Sequence, residues 1–392
     1  MPHYNGMLKV VRNFTAICLS LFALVGAALA QDFDLQATVD EAREEHSIVG
    51  MGAIIMHADG TYTIAVSGER VRGSGDPVQP DDAWHIGSNT KSMTALLYAR
   101  LVEDGLASWG ATIPDLFPDF ADEIDSAWSE ITIEDLFAHR SGLAQLSGGW
   151  FRSIRRDTKP VQEQRLETTL DFLRKPPAKA AGEYEYNNLG YVIAGSAIEG
   201  ILTKGMGESF VWENAMERYV FSQLSSDTAG MTWGFGPPQA GIQGHRGALG
   251  SSLFLSPVGT GDSADNPSAL GPAGTLHASL LAHARLSREY LLEDSTLIPI
   301  HVRQKLWAPY PAISSDSDYA MGWGVRRSDT YGTYYSHSGS NTMWLSDVRI
   351  LPEYDLVVII NSNQVSDKTF AAHQDVLVTV LDHYRGISSK SD

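Results

Sequence analysis

Ser88 and Lys91 lie one helical turn apart and together offer a nucleophile and a base. They precede residues 92–101, whose apolar residues recur at spacings of three and four, so we predict a helix that begins near Ser88. A serine hydroxyl needs a base to take its proton, and burial lowers the pKa of a lysine amine enough for that task. The backbone N–H groups at the helix start could donate to an oxyanion. The alternative is a surface helix with a capping serine and a solvated lysine.

The chain's only Y-x-N is formed by Tyr186 and Asn188, just before a predicted helix at 189–202. A buried tyrosine hydroxyl near a lysine can relay protons, and an asparagine side chain offers a donor and an acceptor to a substrate amide. The alternative is a turn whose asparagine caps the following helix.

A third group, His337-Ser338-Gly339-Ser340, follows a predicted strand at 333–336. His-x-Gly also occurs at 85–87 and 245–247, but only the group at 337 follows a β-rich run near the C-terminus. It could place a strand edge beside the Ser88 helix, with the Ser340 amide as a second oxyanion donor. The alternative is a solvent-exposed turn histidine.

Strand patterns lie at both ends of the chain, and the middle is helical and rich in loops. The predicted strands are 52–57, 62–68, 319–326, 333–336, 343–350 and 356–361. The predicted helices are 35–47, 134–138, 189–202, 208–220, 276–292 and 367–384. We therefore predict an α+β fold in which an antiparallel sheet is formed from both chain ends and flanked by helices. The sheet lobe would comprise 31–104 and 312–392, the mostly helical lobe 105–311, and the groove between them the site.

Residues 1–30 are typical of a secretory signal, with positive residues Lys9 and Arg12, an apolar run and an A-x-A cleavage site ending at Ala30. We expect a periplasmic or secreted protein cleaved after Ala30, without a stable membrane anchor. The only cysteine, Cys18, lies within this segment, so the mature chain would contain no disulfide and no cysteine ligand.

The charge balance excludes other functions. The formal net charge is −18 and becomes −20 when Lys9 and Arg12 are removed, which argues against binding to nucleic acid. No G-x-S-x-G, H-E-x-x-H or P-loop occurs, so nothing suggests an α/β-hydrolase, a zinc protease or a nucleoside triphosphatase. We predict no cofactor and no metal.

The ordered set S-x-x-K, Y-x-N and His-x-Gly resembles that of the penicillin-recognising serine hydrolases. These include class C β-lactamases, D-Ala-D-Ala carboxypeptidases, D-amino-acid peptidases and β-lactamase-like esterases. Residues 137–143 (FAHRSGL), 271–276 (GPAGTL) and 319–324 (YAMGWG) are also similar to motifs of that family. The resemblance covers residues 40 to 385 and implies a β-lactamase/transpeptidase-like fold.

The resemblance implies a role for each motif residue. Ser88 would be the acyl-accepting nucleophile, Lys91 its proton partner, and Tyr186 a second base that protonates the leaving group. Asn188, His337, Gly339 and Ser340 would bind the substrate, with the Ser88 and Ser340 amides as the oxyanion hole.

The departure is His337, because class C β-lactamases carry lysine there. A mostly neutral histidine holds a carboxylate weakly. We therefore expect a hydrolase of small esters or D-amino-acid amides and peptides, and expect pH 5.5 to restore part of the missing charge. The alternatives are a class C-like β-lactamase, a D-Ala-D-Ala carboxypeptidase, or a penicillin-binding sensor that is acylated but turns over slowly. The sequence assigns no role to Arg140 or His245.

Overall fold

A computed structural model describes residues 33–207, 209–224, 229–247, 254–310 and 317–391, so the predicted signal segment 1–30 lies outside the described residues. Helices α1 to α12 of these ranges are, in chain order, Leu35–His46, Thr90–Glu103, Ile113–Leu116, Ile133–Phe137, Gly148–Ile154, Val161–Leu173, Asn188–Met206, Trp212–Tyr219, Gly271–Gly274, Leu280–Arg288, Ile300–Trp307 and Asp367–Ser391. Strands β1 to β12 are Gly50–His57, Tyr62–Gly68, Ala83–His85, Trp233–Phe235, His245–Arg246, Ser256–Pro257, Leu276–Ser279, Ser317–Tyr319, Gly324–Ser328, Gly332–Ser340, Leu345–Leu351 and Leu356–Ser362.

Seven strands form the main sheet in the order β2-β1-β12-β11-β10-β9-β8, with every neighbouring pair antiparallel. Strands β1 and β2 come from the N-terminal part of the chain, and the other five come from its C-terminal part. The sheet therefore closes only when the two chain ends meet, which confirms the predicted α+β class.

The two faces of the sheet have separate cores because side chains alternate along each strand. On one face, Val358 and Ile360 of β12 pack with Val39 of α1 and Val376 of α12. On the other face, neighbouring β12 residues such as Ile359 join a larger core that includes Leu97 of α2 and Ile193 of α7. Strand β12 is buried along its whole length and reads as a continuous apolar run, as expected for a strand covered on both faces.

The segment predicted as one helix at 276–292 is instead a strand followed by a helix. Residues Leu276–Ser279 form β7, the central strand of a small three-stranded sheet with β3 and β4. The prediction was wrong because it ignored Ser279, whose hydroxyl accepts a hydrogen bond from the Ala282 N–H at 3.3 Å and so caps the start of α10. The tertiary pairing of β7 with β3 overrides the helical pattern.

Two strand predictions near the C-terminus also needed correction. The run 319–326 divides into β8 and β9 at Gly322, whose φ of +80° is a left-handed conformation that favours glycine. A Cβ at Gly322 would lie 2.5 Å from the Cα of Ser92, so this turn presses against the start of α2. The strand predicted at 333–336 continues through Ser340 as β10.

Among the residues that the structure describes, no helix is long and apolar enough to cross a membrane.

Candidate active site

Ser88 lies in a single 3-10 turn, Gly87–Asn89, that leads directly into α2. Gly87 has a φ of +53°, and a Cβ there would lie 2.4 Å from the backbone nitrogen of Ser340. A Cβ at Gly339 would likewise lie 2.8 Å from the backbone nitrogen of Ser88. These two glycines allow the end of β10 to approach the turn closely, so the Ser88 and Ser340 nitrogens meet at one place. Such paired donors suit an oxyanion.

Lys91 lies beneath Ser88, on the first turn of α2, and is 0% exposed. Its Nζ is 3.0 Å from Ser88 Oγ, 2.7 Å from Asn188 Oδ1 and 2.7 Å from the carbonyl oxygen of Ala273. The structure therefore joins Ser88, Lys91 and Asn188 as the sequence predicted. It rules out the alternative of a solvated lysine on a surface helix.

The three partners of Lys91 are compatible with both of its protonation states. The Asn188 and Ala273 oxygens can only accept, so they take two N–H groups of the amine. The third partner, the Ser88 hydroxyl, accepts the third N–H of an ammonium or donates its proton to the lone pair of a neutral amine. Burial lowers the pKa of Lys91 well below its ordinary value. Since no carboxylate of the described residues pairs with Nζ, a neutral amine fits this position.

Tyr186 is the second group near the serine. Its hydroxyl makes a hydrogen bond with Ser88, and desolvation of that hydroxyl raises its pKa above the ordinary value although the residue as a whole is 36% exposed. Its ring centre is 4.9 Å from the Lys91 Nζ. The helix cap that the alternative assigned to this motif is provided by Asn187, whose Oδ1 accepts from the Leu189 N–H at 2.7 Å. Tyr186 and Asn188 are thus left to face Ser88 and Lys91.

His337 is buried within β10, on the same side of the sheet as Tyr186, and is not a solvent-exposed turn residue. Its Nε2 is 3.0 Å from the hydroxyl of Tyr319, and its ring centre is 6.4 Å from that of Tyr186. Burial, with the nearby Lys91 amine, lowers the pKa of His337 to about 3. The expectation that pH 5.5 would protonate it is therefore wrong, because desolvation disfavours the imidazolium.

A layer of aromatic side chains under Tyr186 was not predicted as part of the site. The buried ring of His139 lies 4.4 Å from that of Tyr186 and 4.9 Å from that of Tyr319. The Nδ1 of His139 accepts from the Asn187 N–H at 3.1 Å, which holds the Y-x-N segment. Both His139 and Tyr319 belong to motifs that carried the family resemblance, so the signal was present although no role had been assigned.

Two residues without a role in the sequence are structural in this fold. Arg140 donates to the Gly182 carbonyl at 2.7 Å, and its guanidinium lies 5.8 Å over the ring of Tyr184, close to the Y-x-N segment. His245 contacts the Asn363 carbonyl through Nδ1 at 2.9 Å and accepts from the Arg72 N–H through Nε2 at 3.1 Å. It ties three separate stretches of backbone together.

Within the described ranges, Glu45, His46 and Asp375 are close enough to share an ion. The group is largely exposed and lies on α1 and α12, which cover the face of the sheet away from Ser88.

Comparisons with known proteins show the family of this chain. A family model described as Beta-lactamase matches residues 35–381. Penicillin-binding protein 4 of Amycolatopsis lactamdurans is 26% identical over 342 residues, which are 84% of this chain and 84% of that protein. Esterase EstB of Burkholderia gladioli is 34% identical over 124 residues, or 31% of each chain.

Solved structures share the fold at low identity. D-amino acid amidase from Ochrobactrum anthropi SV3 in complex with L-phenylalanine amide has a TM-score of 0.67 at 20% identity, covering 92% of this chain and 99% of that one. An octameric penicillin-binding protein homologue from Pyrococcus abyssi has a TM-score of 0.68 at 22% identity, covering 88% of this chain and 76% of that one.

Proposed function

The chain belongs to the β-lactamase family, as its motifs predicted, and from that premise we propose that it is a serine hydrolase. It forms an acyl-enzyme on Ser88 with small neutral esters or with D-amino-acid amides and peptides. The observation that carries this proposal is the position of Lys91, buried and 3.0 Å from Ser88 Oγ with its other two partners limited to accepting.

In the acylation step, Ser88 Oγ attacks the substrate carbonyl carbon while its proton passes to the lone pair of Lys91. The carbonyl oxygen gains the charge and lies between the Ser88 and Ser340 amides. Asn188 uses Oδ1 to accept from Lys91, which leaves its Nδ2 group to donate to a substrate carbonyl.

Collapse of the tetrahedral intermediate breaks the bond to the leaving group, which needs a proton. Tyr186 is suited to supply it, since its raised pKa keeps the hydroxyl protonated at neutral pH. Tyr186 then recovers a proton from the Lys91 ammonium. Burial favours this transfer because it disfavours the charged form of the lysine. Water, activated by the same groups, hydrolyses the ester of Ser88 and releases the acid.

The substrate class follows from the lack of a fixed charge at position 337. A neutral His337, engaged with Tyr319, offers a ligand carboxylate no ionic partner. Neutral acyl compounds are therefore favoured over carboxylated β-lactams. Two of the similar proteins are by name an esterase and a D-amino acid amidase, which supports the same choice.

The decisive experiment compares steady-state turnover of p-nitrophenyl butyrate, a D-Ala-D-Ala peptide and nitrocefin by the purified mature chain. We expect continuous turnover of the ester and slow hydrolysis of nitrocefin. A single stoichiometric burst with every substrate would instead support the penicillin-binding sensor, and rapid nitrocefin hydrolysis would support a class C-like β-lactamase.

We also propose export, with Gln31 as the first residue of the mature protein. N-terminal sequencing of periplasmic or secreted material tests this directly. Recovery only of chains that retain Met1 would contradict it.

A further inference from the structure

His85 is a buried residue beside the oxyanion turn that the proposed reaction has not used. It ends β3, three residues before Ser88, and is 0% exposed. Its Nδ1 accepts a hydrogen bond from the Gly87 N–H at 3.1 Å, so Nε2 carries the ring proton in the neutral form. That Nε2 lies 2.6 Å from Oδ1 of Asp265, which is 2% exposed.

The same carboxylate oxygen reaches the second half of the oxyanion hole. Asp265 Oδ1 accepts from Nδ2 of Asn341 at 3.0 Å, and Asn341 directly follows Ser340 in the chain. The Asn341 side chain also fixes its own turn, because its Oδ1 accepts from the Met343 N–H at 3.2 Å. Asp265 Oδ1 therefore contacts His85, which holds the turn with the Ser88 amide, and Asn341, which follows the strand end with the Ser340 amide.

A third connection reaches the loop that holds Lys91. The Asp265 Oδ1 also accepts from the backbone N–H of Asn266 at 2.6 Å. The Asn266 side chain donates to the Gly274 carbonyl at 2.9 Å, and the neighbouring Ala273 carbonyl accepts from Lys91. The contact between Lys91 and Ala273 is thus two hydrogen bonds and one residue away from Asp265, further than either oxyanion-hole segment.

We propose that Asp265 is a positioning residue that sets the separation of the two oxyanion-hole amides through His85 and Asn341. This inference rests on the proposed Ser88 acyl-enzyme. The two amides come from segments far apart in sequence. Gly87 packs directly on Ser340, and Asn89 of the same turn donates to Ser346 of the neighbouring strand β11, so the Asp265 network is a second tie between the segments. A shared acceptor provides the fixed distance that an oxyanion needs in order to gain from both donors.

The chemistry of the anchor suggests two informative substitutions. Asp265→Ala removes the carboxylate, so that both His85 and Asn341 lose their contact with residue 265. Asp265→Asn keeps an oxygen of the same shape, which can still contact His85 and accept from Asn341 and the Asn266 backbone. We expect Asp265→Ala to lower kcat for p-nitrophenyl butyrate by about a hundredfold with KM within about threefold, because a loosened oxyanion donor acts mainly in the transition state. Asp265→Asn should retain activity within about fivefold of the original.

Three further measurements distinguish a positioning role of Asp265 from a general loss of structure. Inhibition by phenylboronic acid, which forms a tetrahedral adduct with a serine, should weaken in proportion to the loss in kcat/KM. The acid limb of the pH–rate profile should stay in place, because the contacts of Lys91 with Asn188 and Ala273 remain. Asn341→Ala leaves Asp265 and His85 paired and should lower kcat about tenfold. It replaces Asp265→Ala as the test variant if Asp265→Ala does not fold.

The matched control is Asp347→Asn, which alters another buried aspartate–histidine pair, His373 Nδ1 to Asp347 Oδ2 at 2.7 Å, on the other face of the sheet. It should leave kcat and boronate affinity within about twofold. The proposal is overturned if Asp265→Ala and Asn341→Ala keep full kcat, if boronate affinity does not follow kcat, or if the loss appears as a shifted acid limb.

The test is independent of the substrate assignment. If the original chain turns over no ester, the rate of Ser88 labelling by a fluorophosphonate replaces kcat, with Ser88→Ala as the blank. Labelling that survives in Ser88→Ala contradicts the proposed function itself, whereas equal labelling of Asp265→Ala and the original chain contradicts only the positioning role.

Discussion

The two faces of the main sheet each carry a serine in a hydrogen-bonded cluster, and only one of them is placed for catalysis. On one face, Ser88 contacts the buried amine of Lys91 at 3.0 Å. On the other, Ser362 Oγ is 2.7 Å from Nε2 of His373, whose Nδ1 is 2.7 Å from Asp347. By residue type the second cluster is the more familiar one, since serine, histidine and aspartate in this order form the triad of many hydrolases.

The surroundings of the two serines separate them. Ser362 is 0% exposed and ends β12, where it pairs with Met51 of β1 and with Leu345 of β11. Its neighbours on both sides are strands, so no unpaired amide is at hand for an oxyanion. A cavity of about 160 Å³ lies nearby and is lined by His373 and Asp347 but not by Ser362. Ser88 is half-buried at a helix start, next to the backbone of Gly339 and Ser340.

We infer that access, together with the Ser340 amide nearby, distinguishes Ser88 from Ser362 as the proposed nucleophile. The Ser362 cluster instead links α12 to the sheet, and the second oxygen of Asp347 accepts from Ser338 of β10. We therefore assign it to stability. Four predictions, ordered by the size of their effect on catalysis, test this difference.

The largest effect should come from exchanging each serine for alanine. Ser88→Ala should abolish covalent labelling by a fluorophosphonate and lower ester turnover by at least about a thousandfold, because the nucleophile is removed. Ser362→Ala should keep both within about twofold. In-gel fluorescence of the labelled proteins and turnover of p-nitrophenyl butyrate measure the two. Labelling that disappears in Ser362→Ala and persists in Ser88→Ala would reverse the assignment.

The next effect concerns the base. Lys91→Ala and Tyr186→Phe should each slow acylation by about a hundredfold or more, since each removes part of one proton-transfer path. The double variant should cost far less than the product of the two losses, because groups that share one task are not additive. Stopped-flow measurement of the acylation burst gives the rates.

Tyr184→Phe is the matched control for this pair, since Tyr184 lies in the same aromatic layer and its ring contacts His139 and Tyr319. It should change the burst rate by less than about threefold. Losses that multiply fully in the double variant would show that Tyr186 supports the fold and takes no part in proton transfer.

The sequence predicted the residues whose chemistry is local or carried by a motif. Ser88 and Lys91 are one turn apart on a helix, so their contact follows from helix geometry. That Tyr186 and Asn188 belong to the same site was predicted only from the family resemblance, because Tyr186 is 95 positions from Lys91 in the sequence. The strands at both chain ends were recognisable from their apolar runs, and the helical stretch between them implied one antiparallel sheet made from both ends.

What the sequence could not provide depends on distant partners or on burial. Asp265 and His85 are linked across the fold, and neither lies in a pattern that specifies the other. The neutral state of His337 depends on its desolvation, which no spacing reveals. The strand Leu276–Ser279 has a helical composition and becomes a strand because β3 and β4 pair with it.

The third prediction concerns selectivity at His337. Since its pKa is lowered to about 3, the side chain stays neutral both at pH 7.5 and at pH 5.5. The ratio of kcat/KM for p-nitrophenyl butyrate to that for nitrocefin should therefore change by less than about twofold over this range. His337→Lys should shift the ratio about tenfold towards nitrocefin, as one added charge-assisted hydrogen bond to the carboxylate would.

His301→Lys is the control for this substitution, because His301 is an exposed histidine paired with Glu103 on the surface. It should leave the ratio unchanged. A ratio that moves with pH between 7.5 and 5.5 would mean that His337 titrates in that range, contrary to its buried position. A ratio unaffected by His337→Lys would mean that the side chain does not reach the substrate.

The smallest effect on catalysis should come from Asp347→Asn, which should instead lower the free energy of unfolding. Hydrogen bonds and charge from His373 and Ser338 outweigh burial and lower the pKa of Asp347 from 3.8 to about 2. A carboxylate whose pKa is depressed in the folded state adds stability above its unfolded pKa and loses it as pH falls through the folded pKa. The difference corresponds to about 2 kcal/mol at pH 7.

Urea denaturation measures the difference in the free energy of unfolding between the original chain and Asp347→Asn. This difference should be unchanged from pH 7 to pH 5 and should narrow from pH 4 towards pH 2. Ester turnover should stay within about twofold. No difference in the free energy of unfolding at pH 7 would show that the interaction of Asp347 with His373 only offsets the cost of its own desolvation. A large loss of turnover without a loss of stability would mean that the opposite face of the sheet does take part in the reaction.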